Sequence, residues 1–341
     1  MKRKALFIGG TGTISSAITR LVASLPDWDL TLLNRGQNRQ VLPDNVEVIH
    51  ADIHHDDVAA LLGDRQFDVV ADFIIFDPAD IDRDFRLFGG RTRQYIFISS
   101  ASAYQKPVAN YLISESTPLV NPYWQYSRDK ATCEDKLHRY QREEGFPVTI
   151  VRPSHTYCER SIPVAVHGDK GSWQVIRRMM QGKPVIIHGD GSSLWTLTHN
   201  TDFARAFVAL MGNVHAIGNT IQIMGDETLS WLQIHTIIAE ALGVELHPCF
   251  VPSTLLAQSS HYDLCGNLLG DKTASVVFDI TKLRRLVPDF TATVRFDQGV
   301  RMALDYIRQH PECQQEDPEF DLWCDKVVDI MGEVHHKIQQ L

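Results

Sequence analysis

No run of about 18 consecutive apolar residues, the length a bilayer-crossing helix needs, occurs in the 341 residues, so a transmembrane helix is excluded. Paired cysteines are also lacking. Cys133, Cys158, Cys249, Cys265, Cys313 and Cys324 show no C-x-x-C spacing, which argues against a disulfide framework or zinc site and for reduced thiols in a cytoplasmic protein. Basic charge is short too. Thirty-three Lys and Arg face 42 Asp and Glu, a net charge of −9 with no compensating basic block, which opposes binding to nucleic-acid phosphates. The histidines His54, His55, His155, His199, His335 and His336 show no ligand spacing with a third donor, so no metal is expected. Internal repeats and low-complexity tracts are absent as well.

What remains is an ordinary globular composition, 44% hydrophobic and 22% charged. The length suits two domains or one elaborated α/β unit. Lys2-Arg3-Lys4 before Ala5–Ile8 has the basic start of a leader peptide, but the apolar run is short and enters a glycine loop, so it reads as a first strand.

That loop, Gly9-Gly10-Thr11-Gly12-Thr13-Ile14-Ser15, is followed by helical periodicity at Ile18, Leu21, Val22 and Leu25. Strand, glycine turn and helix form either a plain tight turn or a cradle that brings backbone N–H groups to a pyrophosphate. Gly9, Thr11, Gly12, Thr13 and Ile14 are the candidate contacts, and Ser15 stands where a third glycine is common. A second strand, 29–33, ends in Asn34-Arg35-Gly36 with Arg39 nearby and no acid. An acid there would bind a ribose 2′-OH and an arginine a 2′-phosphate, so NADP is favoured over NAD. After the third strand, 46–50, Asp52 with Ile53 is placed either to meet the adenine or to serve its own loop. Apolar runs at 67–76, 95–98 and 148–153, alternating with helical stretches, predict a Rossmann-type doubly wound parallel sheet, α/β in class, with ligands beyond its carboxyl strand ends.

Tyr126 and Lys130, one turn apart, place a phenol and an ammonium on one helix face. Alone this is common helix decoration. In order with the glycine loop, Ile98-Ser99-Ser100-Ala101-Ser102-Ala103-Tyr104 and Arg152-Pro153-Ser154-His155-Thr156-Tyr157, however, it resembles the extended short-chain dehydrogenase/reductases, the NAD-dependent epimerase/dehydratase family. The likeness continues through Gly189-Asp190-Gly191, Thr198-His199-Asn200-Thr201-Asp202 and Phe278-Asp279-Ile280-Thr281-Lys282, covering about residues 3–308.

The resemblance implies Tyr126 as general acid/base, Lys130 lowering its pKa and binding the nicotinamide ribose, and Ser100 polarising the substrate, with Ser102 as runner-up. It places Pro153 beside the nicotinamide and His155 near it, either to touch the substrate or to pack. It also implies a Rossmann domain over 1–165 with segments near 196–225 returning to it, a smaller interleaved substrate domain over 166–310, and a homodimer; 311–341 reads as a helical extension.

Departures from the family pattern fall on the substrate side. Ala101-Ser102 replaces the Asp-Glu pair of dehydratases, and Cys158-Glu159-Arg160 replaces the usual Gly-Pro. Trp195 stands where an arginine often clamps a diphosphate; an indole cannot bind phosphate bidentately but can stack on a sugar or fill a core. The expected function is an NAD(P)-dependent oxidoreductase or epimerase acting on a secondary alcohol or ketone of a carbohydrate-like or other small molecule. The alternative is a non-catalytic, epimerase-like protein that binds RNA or senses nucleotides, as the chloroplast stem-loop RNA-binding proteins do.

Overall fold

The computed structural model describes residues 2–37 and 41–341; Arg39, named above beside Arg35, lies outside them. In chain order the first elements are β1 (Arg3–Ile8), α1 (Ser15–Ser24), β2 (Trp28–Asn34), β3 (Glu47–His50), α2 (Val58–Leu62), β4 (Val69–Asp72), α3 (Pro78–Phe88) and β5 (Tyr95–Ile98). There follow β6 (Leu112–Ile113), α4 (Gln125–Glu144), β7 (Val148–Pro153), β8 (His155–Tyr157), α5 (Trp173–Met180), β9 (Val185–His188), β10 (Leu194–His199), α6 (Asn200–Leu210) and β11 (Thr220–Ile223).

Seven of these strands form one sheet in the order β11-β7-β5-β4-β1-β2-β3, and every pairing in it is parallel. The apolar runs are continuous because both faces are covered. Along β1, Ala5 and Phe7 belong to the core packed under α1 and α6, whereas Leu6 and Ile8 belong to the core under α2, α3 and α4. This is the doubly wound α/β architecture expected. The order reverses between β1 and β4, so the loops leaving these two strands diverge and open a crevice at their carboxyl ends.

One strand is shorter than its apolar run predicts. The run 67–76 yields only β4, because the buried Asp72 accepts a hydrogen bond from the Ile74 N–H at 2.7 Å and turns the chain out of the sheet. Phe73, Ile74 and Phe76 thereby become crevice wall.

Beyond β7 the strands are short: β8 pairs with β10, which also pairs with β12 (Thr228–Ser230), and β9 pairs with β13 (Pro248–Val251). β14 (Val277–Phe278) pairs with β6. The acidic-then-amphipathic end of the chain forms a helix, Pro318–Gln339. Its Asp321 and Asp325 each accept a 2.7 Å hydrogen bond from Arg178 of α5.

Between β7 and α4, Arg152 donates to both carboxylate oxygens of Glu134, at 2.9 and 2.6 Å, and Ser99 Oγ donates to the same carboxylate. Arg152 and Glu134 are buried, so each needs the other. Glu134→Ala, which strands the guanidinium, is expected to cost about 3–5 kcal/mol of stability, read by denaturant unfolding.

Candidate active site

The glycine loop leaves β1 in backbone conformations that suit only glycine at its first two positions. Gly9 has φ +100° and Gly10 φ +40°. A Cβ on Gly9 would approach Ile74 Cγ2 to 2.7 Å, and one on Gly10 would approach Leu32 Cδ2 to 2.6 Å. The loop therefore lies flat on β2 and the β4 exit. Thr19 Oγ1 donates to Gly10 O at 2.7 Å, and Ser15 Oγ accepts the Gly12 N–H at 2.9 Å. The serine at the third glycine's position is thus a brace for the loop. No side chain caps the N-terminus of α1, and no acid lies in its first turn, which leaves it suited to an anion.

A cavity of about 450 Å³ opens over this loop. Gly9, Thr11 and Gly12 line it with Asn34, Arg35, Asp52 and Ile53, all from carboxyl strand ends. Thr13 and Ile14 sit at the start of α1, outside this lining; Thr13 O accepts a hydrogen bond from Asn200 Nδ2 at 3.0 Å. Arg35, with no acid on its own strand end, meets one from β3: its Nη1 is 3.7 Å from Asp52 Oδ2. Asp52 also serves its own loop, since its Oδ1 accepts the His54 N–H.

Phe76, about half exposed, lines this cavity and also a second one of about 370 Å³. The second wall carries Ser100, Ser102, Tyr126, Pro153, His155 and Trp195. Ser100 follows β5 and caps a short turn by accepting the Ser102 N–H. Its hydroxyl lies 2.9 Å from Ser102 Oγ, which in turn accepts from Ser127 Oγ at 2.8 Å, and the Tyr126 phenol stands on the same cavity wall. Burial pushes the phenol above its ordinary range; the Ser100 hydroxyl partly offsets this, and the nearby Asp271 and Cys133 add to it.

The Lys130 ammonium lies 5.7 Å from the centroid of the Tyr126 ring. It is buried and donates to Ile75 O at 2.6 Å and Ile98 O at 2.7 Å, beneath the Phe76 and Phe97 rings. Burial lowers it to about 8. His155 is also driven down by burial, to about 3, and is a neutral imidazole. Trp195 is 2% exposed and packs on Trp231 at 6.2 Å between ring centroids, so most of the indole is core even though it reaches the cavity wall.

Residues 5–223 match the NAD dependent epimerase/dehydratase family. The chain is a member of that family. The family's enzymes use NAD(P), and the flat glycine loop and uncapped α1 terminus fit the pyrophosphate of such a cofactor. Among individual relatives, 2′-dehydrokanamycin reductase of Streptomyces kanamyceticus is 23% identical over 317 residues, 90% of this chain and 85% of that one. The chloroplast stem-loop binding protein of 41 kDa b of Arabidopsis thaliana is 25% identical over 71% of this chain and 64% of that one. Among solved structures, the UDP-glucuronic acid 4-epimerase of Bacillus cereus, in complex with UDP-glucuronic acid and NAD, superposes with a TM-score of 0.71. It is 22% identical and covers 90% of this chain and 99% of that one.

Sequence reasoning missed three members of the site. Trp124 and Asp271 line the second cavity. Asn121 ties its parts together, its Nδ2 donating at 2.7 Å to both Ser102 O and Gly270 O. No motif announces them, since Asp271 lies far along the chain on an irregular turn.

Proposed function

We propose that the protein transfers hydride between NAD(P) and a secondary alcohol or ketone of a carbohydrate-like small molecule, with Tyr126 moving the accompanying proton. The observation that carries this reading is the placing of Ser100 and Tyr126 on the wall of one cavity, which shares Phe76 with the glycine-loop cavity. When bound, the nicotinamide gives or takes the hydride. The chain's own residues hold the substrate and manage the proton.

A phenol kept protonated by burial is suited to donate to a carbonyl oxygen as it gains negative charge, and to take the proton back in the oxidative direction. The hydroxyls of Ser127, Ser102 and Ser100 can donate in one direction along their chain, leaving the Ser100 hydrogen for that same oxygen. Lys130 has a third ammonium hydrogen beyond the two spent on Ile75 O and Ile98 O, and we assign it to the nicotinamide ribose. Gly9, Thr11, Gly12, Thr13 and Ile14 would hold the pyrophosphate, Asp52 and Ile53 the adenine side, and Pro153 the nicotinamide side. Arg35 at the rim would take a 2′-phosphate, giving a preference for NADP.

Of the relatives named, one is a 2′-dehydrokanamycin reductase and another a UDP-glucuronic acid 4-epimerase. A net change in nicotinamide absorbance during turnover marks a reductase or dehydrogenase, and none marks an epimerase. Residues 1–165 would form the cofactor domain, 166–310 mainly the substrate domain, with a dimer as assembly. The RNA-binding alternative predicts tight, salt-sensitive RNA binding and no activity lost in Tyr126→Phe.

Under the catalytic reading, Tyr126→Phe lowers kcat by about 10²–10⁴ while NAD(P)H still binds, checked by single-turnover kinetics and fluorescence titration. Reduction needs the protonated phenol and the charged Lys130, and rising pH removes both. The lysine titrates first, so kcat for reduction should hold through neutral pH and fall as pH passes about 8. Arg35→Ala is expected to weaken NADPH by about tenfold or more, the worth of a charge-assisted hydrogen bond, with little change for NADH; equal NADH and NADPH affinities in the parent protein would remove the basis for the NADP preference.

A further inference from the structure

Asp271 reaches the substrate cavity on a segment, Cys265–Lys272, that is a short helical turn running into a wider π-type turn. Two glycines seat this segment on Trp124. A Cβ at Gly266 would overlap the Trp124 ring, and one at Gly270 would lie 3.1 Å from Trp124 Cβ and 3.2 Å from Asn121 Oδ1. The Asn121 amide then clips Gly270 O to Ser102 O. The carboxylate is thereby fixed opposite the catalytic serines.

Two polar atoms of this wall have no use within the fold. Asp271 Oδ1 is buried without a hydrogen-bond partner, and so is the indole Nε1 of Trp195. Each is an expense in a folded protein. Burial raises the Asp271 carboxyl to about 6, while the charges of Lys272 and Lys106 hold it down, so the carboxylate form prevails at neutral pH. Neither lysine lines the cavity; the Lys272 ammonium donates to Asn267 Oδ1. Among the described lining residues there is no arginine or lysine, and His155 is neutral. Such a wall lacks the cations that diphosphate recognition uses. Its two unpartnered atoms are one acceptor and one donor, and hydroxyl groups can satisfy both kinds.

We infer that Asp271 and Trp195 form the polar anchor of the substrate cavity, holding hydroxyl or amino substituents of an unphosphorylated sugar ring while a carbinol or keto carbon meets Tyr126. This rests on the hydride-transfer reading of the same cavity and narrows its substrate class. Asp271 accepts from the substituents, and the indole N–H donates to a ring substituent's oxygen.

The test is saturation-transfer NMR on the full-length, NAD-loaded protein with glucose, glucosamine and UDP-glucose as probes. Glucose and glucosamine are expected to bind, with UDP-glucose no tighter. Asp271→Asn, which keeps the shape, should weaken the two free sugars by about tenfold or more. A larger loss for glucosamine identifies an ammonium partner, and an equal loss identifies hydroxyls. Trp195→Phe, which deletes the N–H and keeps an aromatic ring, should weaken both as well. Unchanged NAD affinity in each variant shows that the fold survives. Preferential binding of UDP-glucose, no binding by any probe, or unchanged sugar affinity in both variants overturns the anchor. If Tyr126→Phe keeps full turnover, the hydride-transfer reading fails while the sugar-binding result stands.

Discussion

The ammonium of Lys130 holds three separate pieces of chain to one another. It rises from α4, one turn past Tyr126, and is bonded to the carbonyl of Ile75 in the loop after β4 and to that of Ile98 at the end of β5. Strand ends in a parallel sheet leave carbonyls that need donors, and here one buried cation supplies two of them. The lysine's charge is made costly by burial, and the two carbonyls with the surrounding rings of Phe76, Phe97 and Tyr126 offset that cost. The spacing between the cofactor wall, the serine loop and the phenol follows from this one contact.

The phenol one turn before Lys130 is raised in pKa by burial and by the nearby Asp271 and Cys133, and lowered by the Ser100 hydroxyl. The proton therefore rests on the Tyr126 phenol. The serine relay behind it reinforces the same polarity, because Ser127 can only pass its hydrogen toward Ser102 and the cavity.

Much of this was legible in local spacing. The glycine loop, the Ser100 turn and the Tyr126/Lys130 pair each depend on residues a few positions apart, so their geometry is encoded where they stand. β5 and β7 run over the residues that their apolar composition marks. The run through Phe76 was overread because one buried aspartate, Asp72, turns the chain, and hydropathy does not register a side-chain-to-backbone bond. Pairings across the sheet were out of reach. Asp52 facing Arg35, Trp231 taking up most of Trp195, and Asn121 joining Ser102 to Gly270 all link positions whose proximity only the fold creates.

The seating of residues 265–272 on Trp124 bears on how such a protein could diversify. The two cavities draw their walls from different parts of the chain, and the acidic part of the second wall comes from a single short turn. That turn is attached by two glycines and one asparagine amide. It contributes nothing to the seven-stranded sheet. Exchange of those eight or so residues would therefore reshape the second cavity while the sheet and the helix bearing Tyr126 and Lys130 are inherited intact.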